Sequence, residues 1–587
     1  MRPSSQRLLC VTLAACGDPS GPAGTDDTDP THAVDTDVSG GRVWLPPEAQ
    51  AVRVSMALRG VHPTAADLQT VRADPTQLPT LVDAWLDDPR FGETVRDLYN
   101  EVLLTRSVDQ QFPQLGPLLK VPRKQILDAV GDEPLALIER VVLEDRPFTD
   151  VVTSSTTVLD AVGAKIWSGH DYAAGGPDEQ EVHWTDHRPA AGVLSTNALW
   201  SRHPSNGSNY NRGRANVIAD ALLCEDFMSR DVQIGGDVDL SDPAAVNRAV
   251  STRPECVSCH QALDPLASNL WVFSPIVSPG SVAVSYLAGC STFPLDQCYP
   301  FDPYLKDGGL VPVLLGLRAP GYYGHATADL GDVGAAIAAD PRFAQCAARR
   351  FWSGFAEVPI SDVPFDLVAD LQRAFTSSGF NAKALARAAV LSPDFLTLDA
   401  SDPDVAARAV GPLVVRPFQH ARLIEDLTGF AYTLSTDDLI CATTKLNCYG
   451  DVELATDDVY GFRSMTGGID GVRVTRPTHT FTPVKLLFAA AIAEEAAGWV
   501  VKKELRATGE RALLDQVGPT TTDEPTVRAQ LASLHQRLYA ESVTADSAAV
   551  DADWALWSTV LVRTADPDDA WSATLSAMLQ APDLLVY

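Results

Sequence analysis

Apolar residues along most of this chain recur at the spacing of a helix that buries one side. Leu81, Val82, Trp85 and Leu86 fall at i, i+1, i+4 and i+5, and Val95, Leu98, Tyr99 and Val102 continue the stripe beyond Pro89. Thr64 to Asp67 has the spacing of a capping box and marks a helix start. Asp132 and Pro134 predict the opening of a further helix with Leu135, Ile138 and Val142 on its inner side. Asn211 to Cys224, Asp332 to Ala339, Cys346 to Gly354 and Ala382 to Leu391 read as helices, and Phe418 to Thr428 as an amphipathic helix stopped by Gly429. Leu486 to Ala493, bounded by Lys485 and Glu494, is a core helix too short to span a bilayer. Ile276 to Tyr304 reads as a loop-like segment with short strands. The expected fold class is mainly α, with few short strands. At 587 residues the chain is too long for one hydrophobic core.

A four-residue motif recurs: Asp88-Pro89-Arg90-Phe91, Asp340-Pro341-Arg342-Phe343, Ser392-Pro393-Asp394-Phe395 and Ala581-Pro582-Asp583-Leu584. A proline disfavours helix in the residue before it, so each copy is expected to end or interrupt a helical stretch, its last residue capping the core. The irregular spacing argues against a solenoid.

The first residues read as an export signal. Arg2 and Arg7 form a basic start, Leu8 to Ala15 is a short apolar run, and Leu13-Ala14-Ala15-Cys16 follows as a lipobox. This resembles bacterial lipoprotein signal peptides, and the resemblance implies lipidation of Cys16. Gly17 after Cys16 is not an aspartate retention signal, which by the same resemblance favours the outer membrane. Gly17 to Gly41 is rich in Asp, Thr, Gly and Pro, the composition of a flexible acidic tether. The formal net charge is -31, from 45 basic and 76 acidic residues. That balance argues against nucleic acid as a partner and suits solubility or a basic redox partner.

Ten cysteines are present. Cys10 would leave with the signal peptide and Cys16 would carry lipid. Cys256 and Cys259 belong to Cys256-Val257-Ser258-Cys259-His260, the attachment pattern of a c-type haem. Two thiols three residues apart reach the two vinyl groups of one haem edge, and His260 supplies the proximal iron ligand. A redox-active dithiol, a zinc site and a plain disulfide are the competing readings. No thioredoxin-like βαβ pattern surrounds the pair, and no second CxxC or HxxxH lies nearby. The remaining Cys224, Cys290, Cys298, Cys346, Cys441 and Cys448 are an even set, as disulfides require. Cys290/Cys298 and Cys441/Cys448 are near neighbours in sequence and natural pairs, which leaves Cys224 to Cys346, although six cysteines allow about fifteen pairings.

The sixth iron ligand has three candidates. These are His325 in Gly-Tyr-Tyr-Gly-His, Met228 and His203, with His325 first because a Gly-rich loop permits close approach. A five-coordinate iron would permit small-ligand or peroxide chemistry. No P-loop, GxSxG, HExxH or dinucleotide fingerprint is present. His183 and His187 have metal-ligand spacing for a helix but lie in a stretch that reads as a polar loop. The turn Gly467-Gly468-Ile469-Asp470-Gly471 reads as structural before it reads as a ligand cradle.

Several segments together resemble the large exported bacterial proteins with planctomycete-type cytochrome c domains. They are Leu58 to Thr64 with Leu81-Val82-Asp83 and Asp88 to Glu93, Asp145-Arg146-Pro147-Phe148, Gly192 to Gly213, Cys256 to His260 with Leu263-Asp264-Pro265-Leu266, Cys346 to Trp352, and Gly467 to Gly471. The acidic-aromatic ending usual in that group is replaced here by Asn269-Leu270-Trp271-Val272-Phe273. The resemblance implies haem binding and export and implies no substrate. The expected organisation is a lipoprotein signal peptide over 1–16, a tether over 17–45, an N-terminal helical domain over 46–185, a haem c module over 186–400 and a C-terminal helical domain over 401–587. The leading expectation is a cell-envelope lipoprotein with one covalent haem c that transfers electrons to a redox partner. The alternatives are a structural or partner-binding lipoprotein in which the haem or a disulfide is only a staple, and a haem enzyme of peroxidase or oxidase type.

Overall fold

A computed structural model describes residues 36–37, 41–108, 114, 116–167, 169–185, 188–204, 211–231, 238–239, 241–272, 318–436, 439–446, 448–506 and 511–587. The protein is mainly helical, at 61% helix and 6% strand. The described strands are short. Arg42–Trp44 pairs antiparallel with Thr397–Ala400 on one side and Thr36–Asp37 on the other, and the remaining sheets are two-stranded. No helix among the described residues is long and apolar enough to cross a membrane.

Local chemistry accounts for many of the helix ends. Thr64 Oγ1 accepts from the Asp67 N–H while Asp67 accepts from the Thr64 N–H, closing the expected capping box of Ala65–Ala73. Pro417–Thr428 ends at Gly429 with φ +69°, a left-handed cap that glycine adopts without strain. The four-residue motif does more than end helices. In each copy the proline stands in the first turn of a new helix, where its missing N–H is no loss. Asp88 and Asp340 cap the backbone N–H two residues on, and Ser392 caps that of Phe395. The fourth residue of each copy, Phe91, Phe343, Phe395 or Leu584, is at most 1% exposed. The motif is therefore a helix-to-helix corner anchored in the core.

One expectation is corrected. Asp132 and Pro134 do not open a helix: a single helix runs Arg123–Leu143 with Pro134 inside it. An interior proline costs about 3 kcal/mol. Ile126, Val130, Leu137, Ile138 and Val141 are each at most 1% exposed, and each such burial is worth about 1.5–3 kcal/mol, so packing outweighs the break.

The buried side chains form a large cluster drawn from residues 51 to 413 with Ala540, a second drawn mostly from Val415 to Leu584, and a small third from Leu118 to Ala198. Tyr99, Phe148, Phe343, Phe351 and Phe375 meet at the centre of the first, with Phe148 ring centroids 5.8–6.2 Å from the other four. The helix Pro47–Arg59 joins the two larger clusters, placing Ala51, Val54 and Leu58 in one and Met56 in the other. Near it, Arg416 is buried against Glu101 and Glu357 at 3.0 and 3.3 Å.

Candidate functional site

Cys256, Cys259 and His260 lie on one helix, Pro254–Ser268, with Pro254 in its first turn. The helix is held by Leu263, Leu266 and Ala267, all buried in the large cluster, and Cys259 packs at the edge of that cluster. Positions 256, 259 and 260 are three and four residues apart, so they share a helix face. Both thiols are free and half-buried. Burial, and then repulsion from Glu255, raises the Cys256 thiol pKa. That is the opposite of what a reactive thiolate needs.

One turn beyond His260 sits Asp264, only 3% exposed. His260 Nδ1 lies 2.9 Å from its Oδ1. Arg212, the first residue of the helix Arg212–Leu223, donates from Nε to Oδ1 at 2.7 Å and from Nη2 to Oδ2 at 3.3 Å. Burial pushes the Asp264 carboxyl up, but the hydrogen bonds from His260 and Arg212 and the Arg212 charge outweigh it and hold the group below the usual carboxylate range. The sequence reading placed Asp264 in the segment that follows the CxxCH motif but gave neither Asp264 nor Arg212 a role. The four-residue spacing of His260 and Asp264 on a helix was the available signal for one; Arg212 left none.

A polar chain continues from the second cysteine. Arg230 reaches the Ser258 carbonyl at 3.3 Å and Cys259 Sγ at 3.9 Å and pairs with Glu225. Glu225 also accepts from Arg342 at 2.8 Å and from the Tyr323 hydroxyl. Tyr323 and Gly324, with φ +43° and +91°, turn the hairpin Gly321–Ala326. The hairpin lies on the end of the Cys256 helix: Asn269 Nδ2 donates to the Gly321 carbonyl at 3.4 Å, Thr327 Oγ1 to Asn269 Oδ1 at 2.8 Å. A Cβ on Gly321 would stand 3.4 Å from Pro265 Cβ and 2.7 Å from the His325 carbonyl oxygen, so no larger residue is accommodated.

The sixth-ligand candidates divide. His325 is exposed on that hairpin. Met228 is 80% exposed. His203 is tied through Nε2 to the Leu103 carbonyl at 2.8 Å, and burial pushes its pKa down to about 4, so its side chain is engaged in holding two segments together. His183 ends the strand Gln180–His183 and bonds to Asp171, while His187 is outside the described residues. In the glycine turn, Asp470 Oδ1 accepts from the N–H groups of Val472, Arg473 and Val474, and Arg202 donates to the Gly471 carbonyl. The turn is a structural contact with the N-terminal helices.

Two of the three expected cysteine pairs are present. Cys224–Cys346 ties Arg212–Leu223 to Pro341–Ala356 with Cα atoms 5.3 Å apart, and Cys441–Cys448 closes a short loop at 5.1 Å. Cys290, Cys298 and Cys16 lie outside the described residues. Among the described residues no group of three or more His, Cys, Asp or Glu side chains is placed to hold one metal ion.

A cleft of about 410 Å³ takes no wall from the Cys256 helix and is lined by Arg96, Asp97, Arg106, Asp128, Asp132, Arg463 and others. Its charges are largely paired with one another, Arg106 with Asp97 and Asp132, and Lys124 with Asp128 and Asp457. Nothing in the sequence pointed to it, because its walls come from four separate stretches between Glu93 and Arg463.

Compared with models of known protein families, with curated proteins and with solved structures, the chain matches none.

Proposed function

We propose that this chain is an exported, lipid-anchored haem c protein of the cell envelope that transfers electrons through one covalent haem. In this reading Cys256 and Cys259 form the thioether bonds, His260 is the proximal ligand, and Cys16 carries lipid on the outer membrane. The donor set fits the group. The carrying observation is that the two thiols stay free on one helix face, in a chain whose other described cysteines pair, beside an imidazole whose Nδ1 is already engaged. The raised Cys256 thiol speaks against a redox dithiol. A bound haem would supply one-electron exchange between ferric and ferrous iron. The protein holds the imidazole in place, and the Arg230–Glu225–Arg342 chain makes the rim of the site charged. His325, on a hairpin bonded to the same helix, is the proposed sixth ligand.

The test is a pyridine haemochrome spectrum of denatured protein made with the haem c maturation machinery, beside Cys256→Ala/Cys259→Ala. A c-type band that survives denaturation and vanishes in the variant is the expected result. A wild-type protein with no covalent haem would overturn the reading. In the folded protein a low-spin spectrum that becomes high-spin in His325→Ala supports the sixth ligand; a high-spin wild type instead supports a haem enzyme. Size favours a second reading. A bare electron carrier needs about 100 residues, and the second large core lies apart from the haem helix, so a partner-binding lipoprotein with the haem as staple is the alternative.

A further inference from the structure

The nitrogen of a ligating imidazole that faces away from the metal governs how strongly the other nitrogen donates. A neutral carbonyl at that position leaves an ordinary imidazole; a carboxylate makes it more electron-rich and fixes its tautomer. Here the partner is a carboxylate, Asp264, 2.9 Å from His260 Nδ1 and 3% exposed. The same carboxylate takes two hydrogen bonds from Arg212, and Arg318 Nε stands 4.0 Å away. The negative charge is thus shared between an imidazole on its own helix and a guanidinium on another.

We infer that Asp264 is a positioning residue that holds His260 with its proton on Nδ1 and Nε2 as the donor nitrogen, and that Arg212 sets how much of the carboxylate's charge reaches the ring. This rests on the haem reading above. A more electron-rich imidazole favours ferric over ferrous iron, so the two partners act with opposite signs. Asp264→Asn removes the charge and keeps the shape; Arg212→Gln removes the counter-charge.

The experiment uses the full haem-loaded chain. Covalent attachment is checked first, then the midpoint potential is measured for wild type, Asp264→Asn and Arg212→Gln, and the ferrous iron–histidine stretching frequency for the same three in a His325→Ala background, where the iron is five-coordinate and that vibration is observable. Asp264→Asn is expected to shift the ferrous-to-ferric ratio at fixed potential about tenfold upward, about 59 mV for one electron, with a lower stretching frequency. Arg212→Gln is expected to shift both readouts the other way. Damage to the fold would move both variants in the same direction; that result, or an unchanged Asp264→Asn, overturns the inference while leaving covalent haem intact. If no haem attaches, the haem reading fails by itself. The ring ¹⁵N shifts of His260 in the haem-free full chain then still decide the Asp264 contact: a proton on Nδ1 supports it, and a proton on Nε2 overturns it.

Discussion

Removing the Cys224–Cys346 bridge should cost about twice as much stability as removing Cys441–Cys448. The first crosslink spans a sequence separation of 122 and the second a separation of 7. If a disulfide acts by restricting the unfolded chain, closing those loops is worth about 5 and about 2.4 kcal/mol respectively near room temperature. The longer loop encloses Cys256, Cys259 and His260, and the bridge joins two helices that frame the site. Arg350 donates to Asp220 between the same helices at 2.9 Å, and Phe343, Ala347 and Ala348 stay packed around Cys346. The Cys224→Ala/Cys346→Ala protein should therefore fold to the same helical content with a lower unfolding midpoint. Urea unfolding of that variant, of Cys441→Ala/Cys448→Ala and of the wild type gives the comparison. Hydrogen exchange should lose protection most over 212–223 and 341–356 in the first variant. Equal losses from the two bridges, or a larger loss from the short one, would refute the loop-entropy reasoning.

Arg416→Met should destabilise by about 3–5 kcal/mol, because it leaves Glu101 without its cation and Glu357 with only His479 beside it; thermal unfolding that matches the wild type would show that the site relaxes by protonation or water entry. The stability carried by His62 and His420 should also fall as pH drops from 6.5 toward 4. Burial, with Arg537 near one and Lys485 near the other, pushes the His62 and His420 pKa values from 6.5 down to about 4. Over that range the unfolded chain binds protons that the folded chain refuses, so the stabilisation is complete above pH 6.5 and is lost by up to about 3 kcal/mol per histidine toward pH 4. Glu133 and Asp128, which burial pushes up to about 7 and about 6, work in the opposite direction over an overlapping range. The readout is therefore the difference in the pH slope of urea midpoints between wild type and His62→Leu/His420→Leu, and an unchanged slope would refute it.

Much of the local structure was legible in the sequence because its causes lie within a turn or two. The stripe through Val82 and Trp85, the Thr64–Asp67 box and the Gly429 stop each depend on neighbours a few residues away. Where a distant contact competes with a local preference, the sequence misleads: Pro134 reads as a helix start, yet buried apolar residues on both sides carry the helix through it. The Asp-Pro and Ser-Pro motifs were read as stops, whereas their capping side chains and first-turn prolines also begin the next helix. The Cys224–Cys346 pair was reached only by elimination, since nothing local brings together residues 122 apart. By itself the sequence determined a helical, acidic chain with a CxxCH motif, through periodicity, caps and spacing that act locally. Only the tertiary structure decided that Arg212 shares Asp264 with His260, that His203 is spent on the Leu103 carbonyl, and that Arg416 is buried between two carboxylates. Those partners lie far apart along the chain, and they meet because helices pack on apolar faces that do not encode which polar side chains will be carried along with them.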